Sequence, residues 1–519
     1  MDGKDTGITM VGNHTREGTP IGVLLIVCFA LFFGVLNASA VGVVLPDIAE
    51  DLSVDTGQLS WLMTGFLLIY GIAIPFYGRL ADRYGARPLF LLGVGIFSVG
   101  SLLSALAPNF ELLLVARIIQ ATGGAAVPGL GMTLASRAYG PESRGTVLGV
   151  IAATIGLGAA IGPLLGGALS ESLGWQSLFF INIAAAITIP VGLRILPKHE
   201  ERSGGSLDLF GGVALGLLVG GALLIPSEGA RSGWTSSLVL VGAVMAIIGL
   251  VGLSARQWTA GSPFIPREFL HNSRYVSLVW MSFSVMAANL AVLIGLPILL
   301  TFTHDLSALE VGLTMVPGAI STSVFGILSG RLTDRVGARL LVWVGSPLML
   351  LAILGLSTNT GSSVGVIATF TGILGAGFGL VNTPLAVAVS RSVRTQMLAS
   401  ALSINSMLFF LGGSLGTAML IAVVTSRGDA GESLLNPVHS GAGAGFSDAI
   451  LLLAIPVFVV MALSLRLPGA TKPAVVEGTV SVQPEPQAAT NWVADCSVPW
   501  MPGCKEAVAE DKAAAVAGT

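Results

Sequence analysis

Residues 78–89 read GRLADRYGARPL, and residues 330–341 read GRLTDRVGARLL. Nine of the twelve positions are identical, and each stretch lies between two long apolar runs. Self-similarity of this kind marks a chain built from two halves of one design. Each copy carries the same parts. Two glycines, Gly78 and Gly85 or Gly330 and Gly337, permit tight turns. One aspartate, Asp82 or Asp334, is placed to cap a helix start or pair with an arginine. Arginines at 79, 83 and 87, and again at 331, 335 and 339, hold the loop on one membrane face.

The runs flanking these loops are 18 to 28 residues long, and fourteen of them recur from one near 21–46 to one near 447–467. About 20 apolar residues span the hydrocarbon core of a bilayer. The chain is 53% hydrophobic and 10% charged, against about 25% charged in a soluble domain. Uniform runs of this length are helices rather than the alternating strands of a barrel, so the fold class is an all-α membrane protein. The first repeat follows the second run and the second repeat follows the tenth. Two plain six-helix halves would place it after the eighth. Two helices, near 208–227 and 236–255, are therefore inserted, and the layout is 6 + 2 + 6. The expected division is a tail at 1–20, a six-helix half at 21–196, the insertion at 197–262, the second half at 263–467, and a disordered tail at 468–519.

Charge fixes the orientation. With the N-terminus in the cytoplasm, 22 of the 25 Lys and Arg residues face the cytoplasm and only Arg231 and Arg427 face out. Both termini are then cytoplasmic and the protein is a multi-pass component of the inner membrane. Residues 1–20 are polar and the first apolar run is too long for a cleavable signal.

The remaining basic residue, Arg117, sits inside the fourth run, LLVARIIQATGGAAVP, with Gln120 three residues on. The fifth run, GVIAATIGLGAAIGPLLGGAL, carries Gly149, Gly158, Gly162, Pro163, Gly166 and Gly167 in a G-x8-G-x3-GP-x2-GG string. Together with the repeated loop, these motifs resemble those of the major facilitator superfamily over about residues 20–467. The fifth-run string is similar to the antiporter signature of drug exporters. LNASAVGVVLPDIAEDL at 36–52 and GPESRGTVLG at 140–149 look like the 14-helix drug:proton antiporter branch that contains tetracycline exporters. The resemblance implies the major facilitator fold and a proton antiporter that exports small amphipathic compounds by alternating access, conferring antibiotic or multidrug resistance. It implies no cofactor, and its partners are substrate, protons and the lipid bilayer, with one copy as the working unit.

The residues carry their own reading beside it. An Arg at mid-bilayer costs about 2.5–3.5 kcal/mol even on the lenient insertion scale, so Arg117 is expected to face the central cavity and tune protonation or bind substrate. Gly158, Gly162 and Gly166 recur every fourth residue and form one smooth stripe, expected to pack between the halves, with Pro163 bending the helix. Asn37, Asn289, Asn382 and Asn405, with Ser406, are the polar candidates for a substrate wall or for interhelical hydrogen bonds. None of the 28 acids lies mid-span. The positions where the tetracycline-exporter branch is expected to hold acids are Ala38 and Gly413 here. A neutral, zwitterionic or anionic substrate is therefore favoured, with Asp47, Glu310 or His304 near the outer mouth as coupling groups beside Arg117.

The five His residues are scattered through loops and tails and form no metal or catalytic cluster, and no phosphate-binding loop is present. That argues against an enzyme and for transport driven by a gradient. A net charge of −3 offers nothing to nucleic acid. A dedicated metabolite exporter, or a nutrient importer or facilitator of the same fold, remains the alternative at the level of sequence.

Overall fold

The computed structural model describes residues 20–54, 56–139, 143–197, 208–306, 308–427, 433–439 and 443–467. Most of both expected tails, 1–19 and 468–519, and most of the 197–207 connection lie outside the described residues. Fourteen helices are long and apolar enough to cross a membrane: α1 (Pro20–Leu52), α2 (Trp61–Tyr84), α3 (Ala86–Ala105), α4 (Phe110–Ala138), α5 (Arg144–Leu173), α6 (Gln176–Ile195), α7 (Leu209–Gly229), α8 (Ser237–Thr259), α9 (Ser273–Thr301), α10 (Glu310–Val336), α11 (Ala338–Thr358), α12 (Val364–Arg391), α13 (Thr395–Arg427) and α14 (Ala444–Ser464). Helices satisfy every backbone hydrogen bond within one segment, which lipid demands. No strand occurs among the described residues.

The two halves are packed alike. In the first, α1 lies along α5, and α3 along α4. In the second, their counterparts pair the same way, α9 with α13 and α11 with α12. Across the middle, α5 packs on α10 and α2 packs on α13, the same contact made twice in opposite senses. The inserted pair sits to one side. Helix α7 fills the outside of the α2–α13 junction, and α8 rests mainly on α7.

The repeats explain the turns at one end of the bundle, which carries most of the arginines and is called the basic end here. Gly85 and Gly337 adopt φ of +99° and +82°, a conformation that side chains resist, and each starts the next helix within one residue. Gly78 and Gly330 do not turn. They lie inside α2 and α10, where the absence of a side chain lets another helix touch.

Helix α1 runs almost two turns beyond the expected 21–46, so Asp47 and Asp51 stand on its last turns. The connection after α8 carries PFIPREFL at 263–270. Phe264 is 2% exposed, with its ring 5.0 Å from that of Phe76 on α2, and the short helix Arg267–His271 follows.

Candidate transport site

The polar centre of the first half is assembled from five helices. Arg117 on α4 is 0% exposed. Its Nη1 donates to Gln120 Oε1 at 2.6 Å and to Asn37 Oδ1 on α1 at 3.2 Å. Gln120 Nε2 donates to Ser101 Oγ on α3 at 2.7 Å and to Asn37 Oδ1 at 3.4 Å. Asn182 on α6 donates to the same Asn37 oxygen at 3.4 Å and to Leu178 O at 2.8 Å. The guanidinium stacks 4.2 Å from the ring of Phe66 on α2, with Phe179 at 5.7 Å, as a cation–π pair does.

Local sequence makes this convergence possible. Gly100 on α3 faces the backbone and Cβ of Gln120, and a side chain at 100 would collide with both. The missing Cβ brings α3 close enough for Ser101 to reach Gln120. Asn37 is the shared acceptor of three donors. Because Arg117 only donates, Asn37 must present its oxygen to the cluster. No carboxylate takes part in the described hydrogen bonds or ion pairs of Arg117, so the charge is held by amide oxygens and aromatic faces alone.

Asn37, Arg117 and Gln120 were expected from sequence, and the structure brings them together. Ser101, Asn182, Phe66 and Phe179 were not. Asn182 is a lone polar residue in the apolar run LFFINIAAAI, a signal that was present. The two phenylalanines look like any lipid-facing aromatics. Arg117 and Asn37 are enclosed by the first half in this conformation, with Phe66 stacked over the guanidinium.

The second half places its candidates apart from that cluster. Asn289 on α9 and Asn382 on α12 are half-buried. Asn405 on α13 is buried with its Oδ1 lacking a hydrogen-bond partner, and Ser406 is buried beside it. Gly413 packs against Leu290 and Met286 of α9, and an added Cβ would lie 2.6 Å from Leu290 Cδ2. A chain of rings joins the two halves. Phe66 stacks on Tyr70 at 5.6 Å, Tyr70 meets the edge of Phe410 on α13 at 5.3 Å, and Phe410 meets Phe409 at 5.7 Å.

The glycine string of α5 divides its contacts. Gly158, Gly162 and Gly166 lie against Phe32–Ala40 of α1, within the first half rather than between the halves as expected. Gly149, with Gly145 and Gly156, is the part that meets α10 of the second half. Pro163 lies inside the helix, and a side chain at Gly167 would touch only Val43.

The repeats close the basic end. Asp82 accepts from the backbone N–H groups of Ala399 and Ser400, at 3.2 and 3.1 Å, at the start of α13. Asp334 accepts from the N–H of Gly145 at 3.3 Å at the start of α5 and pairs with Arg391 at 2.7 Å. Each half thus caps a helix of the other, where exposed N–H groups and the helix dipole favour a carboxylate. Arg83 is exposed over the Tyr84 ring, and Arg87 donates to Leu193 O of α6 at 2.6 Å. Arg335 is exposed and Arg339 half-buried.

At the opposite end Asp47 accepts from Ser170, and His304 reaches Thr360 O at 2.8 Å. No group of three or more His, Cys, Asp or Glu suited to a metal exists among the described residues.

Comparison with known proteins agrees with this geometry. The family model described as Major Facilitator Superfamily matches residues 27–417. The multidrug transporter protein MdtP of Bacillus subtilis is 29% identical over 401 residues, 77% of this chain and 74% of its own. The cephamycin export protein CmcT of Amycolatopsis lactamdurans is 30% identical over 485 residues, 89% of this chain and 97% of its own. Among solved structures, the human organic anion transporter MFSD10 superposes with a TM-score of 0.62 over 86% of this chain and 99% of its own, at 15% identity, which speaks to fold alone. Two alike six-helix halves, loops that cap each other's helices, and a match over most of the chain make this protein a 14-span member of the major facilitator superfamily.

Proposed function

We propose that the protein exports small amphipathic compounds across the cytoplasmic membrane, in exchange for protons, by alternating access between its two halves. The observation that carries this reading is the reciprocal pair of caps at the basic end, Asp82 on α13 and Asp334 on α5. Both must release for that end to open, and both are made when it is shut. On the charge distribution, that end faces the cytoplasm and both termini lie there. The halves at 21–196 and 263–467 are the moving bodies, and the insertion at 197–262 lies against both, on α2 and α13.

Outward direction is supported by the α5 glycine string and by relatives named for multidrug transport and cephamycin export. The Arg117 cluster is the polar core that substrate or proton movement must perturb, because a buried cation without a carboxylate is sensitive to any charge that approaches. Protons are exchanged near the outer mouth, where Asp47, Glu310 and His304 stand. The half-buried or buried Asn289, Asn382 and Asn405 form the second half's share of the substrate wall, and the aromatic chain through Phe66, Tyr70 and Phe410 is its floor.

Efflux of a panel of amphipathic compounds that includes tetracycline and ethidium, from pump-deficient bacteria with and without a protonophore, tests the proposal. The expected result is export that collapses with the protonophore and falls at least tenfold in Arg117→Ala. Protein present in the membrane without export of any compound of the panel would sink the multidrug reading in favour of a dedicated metabolite exporter.

A further inference from the structure

Arg117 is used on one side only. Nη1 is engaged by Asn37 and Gln120, while Nε and Nη2 are buried with no hydrogen-bond partner. These two nitrogens share the outer edge of the guanidinium, and their N–H groups point in parallel. That edge is the fork that receives both oxygens of a carboxylate. Beside it, Asn37 gives its oxygen to the cluster, which leaves Nδ2 as a further buried donor without a partner. Three donor nitrogens without a hydrogen-bond partner and one full positive charge are therefore buried within the first half, and no described carboxylate answers them.

A buried donor left unmade costs about 1–3 kcal/mol, and more when it is charged. At the outer end, by contrast, Arg427 is answered by an acid, its Nε 3.1 Å from Asp448. Arg117 has instead been held ready by neutral groups. Amide oxygens and two aromatic faces fix its direction without cancelling its charge. The sequence places no acid mid-span, and position 413 is a glycine packed against Leu290.

We propose that Arg117, with Asn37, is an anion-binding site, and that the exported compounds are amphipathic organic anions whose carboxylate, or an oxyanion of like shape, takes the Nε–Nη2 edge. The proposal rests on the exporter reading and narrows it to a substrate class. Phe66, stacked on the guanidinium, lies where the apolar body of such a molecule would follow its head group, and its neighbour Tyr70 reaches Phe410 of the second half. Displacing Phe66 to admit the anion would loosen the aromatic contact between the halves. Export of an anion also carries negative charge out of a negative interior. Each charge moved is favoured about 50-fold per 100 mV, with or without a proton entering in exchange.

The test uses the full chain in everted membrane vesicles and three amphipathic carboxylates (fusidate, cephalothin and naproxen), each beside its neutral methyl ester, with ethidium as the cationic control. At least one acid is expected to accumulate tenfold or more above its ester. Valinomycin with potassium, which removes the membrane potential, should lower that uptake. Arg117→Gln should erase the preference for acid over ester, and Arg117→Lys should keep part of it. Thermal stabilisation of the purified protein by the same acids reads binding apart from transport, with Asn37→Ser as a second variant should Arg117→Gln fail to reach the membrane. Equal handling of acids and esters, a preference that survives Arg117→Gln, or stabilisation by chloride alone to the level of the acids would overturn the proposal. Ethidium export without carboxylate export would overturn it too while leaving the exporter reading intact. Failure of every compound would strike that reading as well.

Discussion

The two copies of one twelve-residue motif live in different surroundings. In the first, Asp82 is 0% exposed and holds two backbone N–H groups of α13, while Arg79 turns into the protein and donates to Ser262 Oγ at 3.1 Å and Pro263 O at 3.4 Å. In the second, the Asp334 side chain is 13% exposed, leans on the half-exposed Arg391, and its neighbour Arg331 faces solvent. The difference comes from the insertion. The connection after α8 passes over the first copy, seats Phe264 against Phe76, and supplies the oxygens that take Arg79. In the second copy the equivalent Arg331 is exposed. Identical residues thus make a dry cap on one side and a wet ion pair on the other. The inserted helices, which carry no motif chemistry, act by covering one of the two latches.

The largest effect is expected where backbone meets backbone. A methyl at Gly330 would run into the carbonyl oxygen of Gly145, which cannot rotate away. Overpacking of this kind costs about 1–3 kcal/mol, occasionally more. Gly330→Ala should therefore spread α5 from α10 and bias the protein towards the state open at the basic end. Distances between spin labels on the two halves at that end should lengthen, and transport should fall at least tenfold. A short-distance population equal to wild type would show that the seam yields more easily than its geometry suggests.

Next come the two aspartates, whose comparison tests the contrast directly. Asp82→Ala strands two buried N–H groups, a loss of about 1–3 kcal/mol for each donor left without a partner. Asp334→Ala gives up one N–H bond and an ion pair that water partly replaces, for which about 1 kcal/mol is typical. The first variant should open the basic end by the larger factor and do so equally at 50 mM and 500 mM salt. In the wild type the second latch should weaken with salt, since exposed pairs are screened and buried ones are not. Cysteine labelling at the basic end reads both. Equal effects from the two substitutions would mean that the covering segment does not shield the first copy.

Much of this was legible beforehand. The repeat pointed to two halves and its displacement by two helices to an inserted pair, because each is a property of the chain read along its length. Arg117, Gln120 and Asn37 stood out because polar atoms are costly in lipid. What stayed hidden depends on which face meets which helix. Gly158, Gly162 and Gly166 advertise a smooth stripe, but spacing cannot say that α1, rather than the other half, lies on it. Phe66 and Tyr70 carry no mark that separates them from aromatics facing lipid. Nor does PFIPREFL announce that its first phenylalanine is buried 188 positions along the chain from its partner, Phe76.

The smallest expected effect lies in the hinge of the covering segment itself. Asp208 caps α7 through Gly211 N–H at 3.0 Å, accepts from Arg256 Nε at 3.0 Å, and receives Phe264 N–H at 3.3 Å. Burial pushes its carboxyl pKa up, but the Arg256 hydrogen bond and charge and the two backbone donors outweigh that and hold it below the ordinary carboxylate value of 3.8. A depressed pKa contributes stability that is complete above the unfolded value, about 3.9, and is lost as pH falls through the folded value. The attachment of the covering segment should thus be constant from pH 8 to 5 and loosen only below about pH 4. Asp208→Asn should remove that acid step and lower stability at neutral pH by less than about 1 kcal/mol, because Arg256 is partly open to solvent. Hydrogen exchange at the Phe264 amide, followed against pH in wild type and variant, measures it. An acid step retained in Asp208→Asn would assign the attachment to other groups, and the first latch would then owe its dryness to the packing of Phe264 on Phe76 alone.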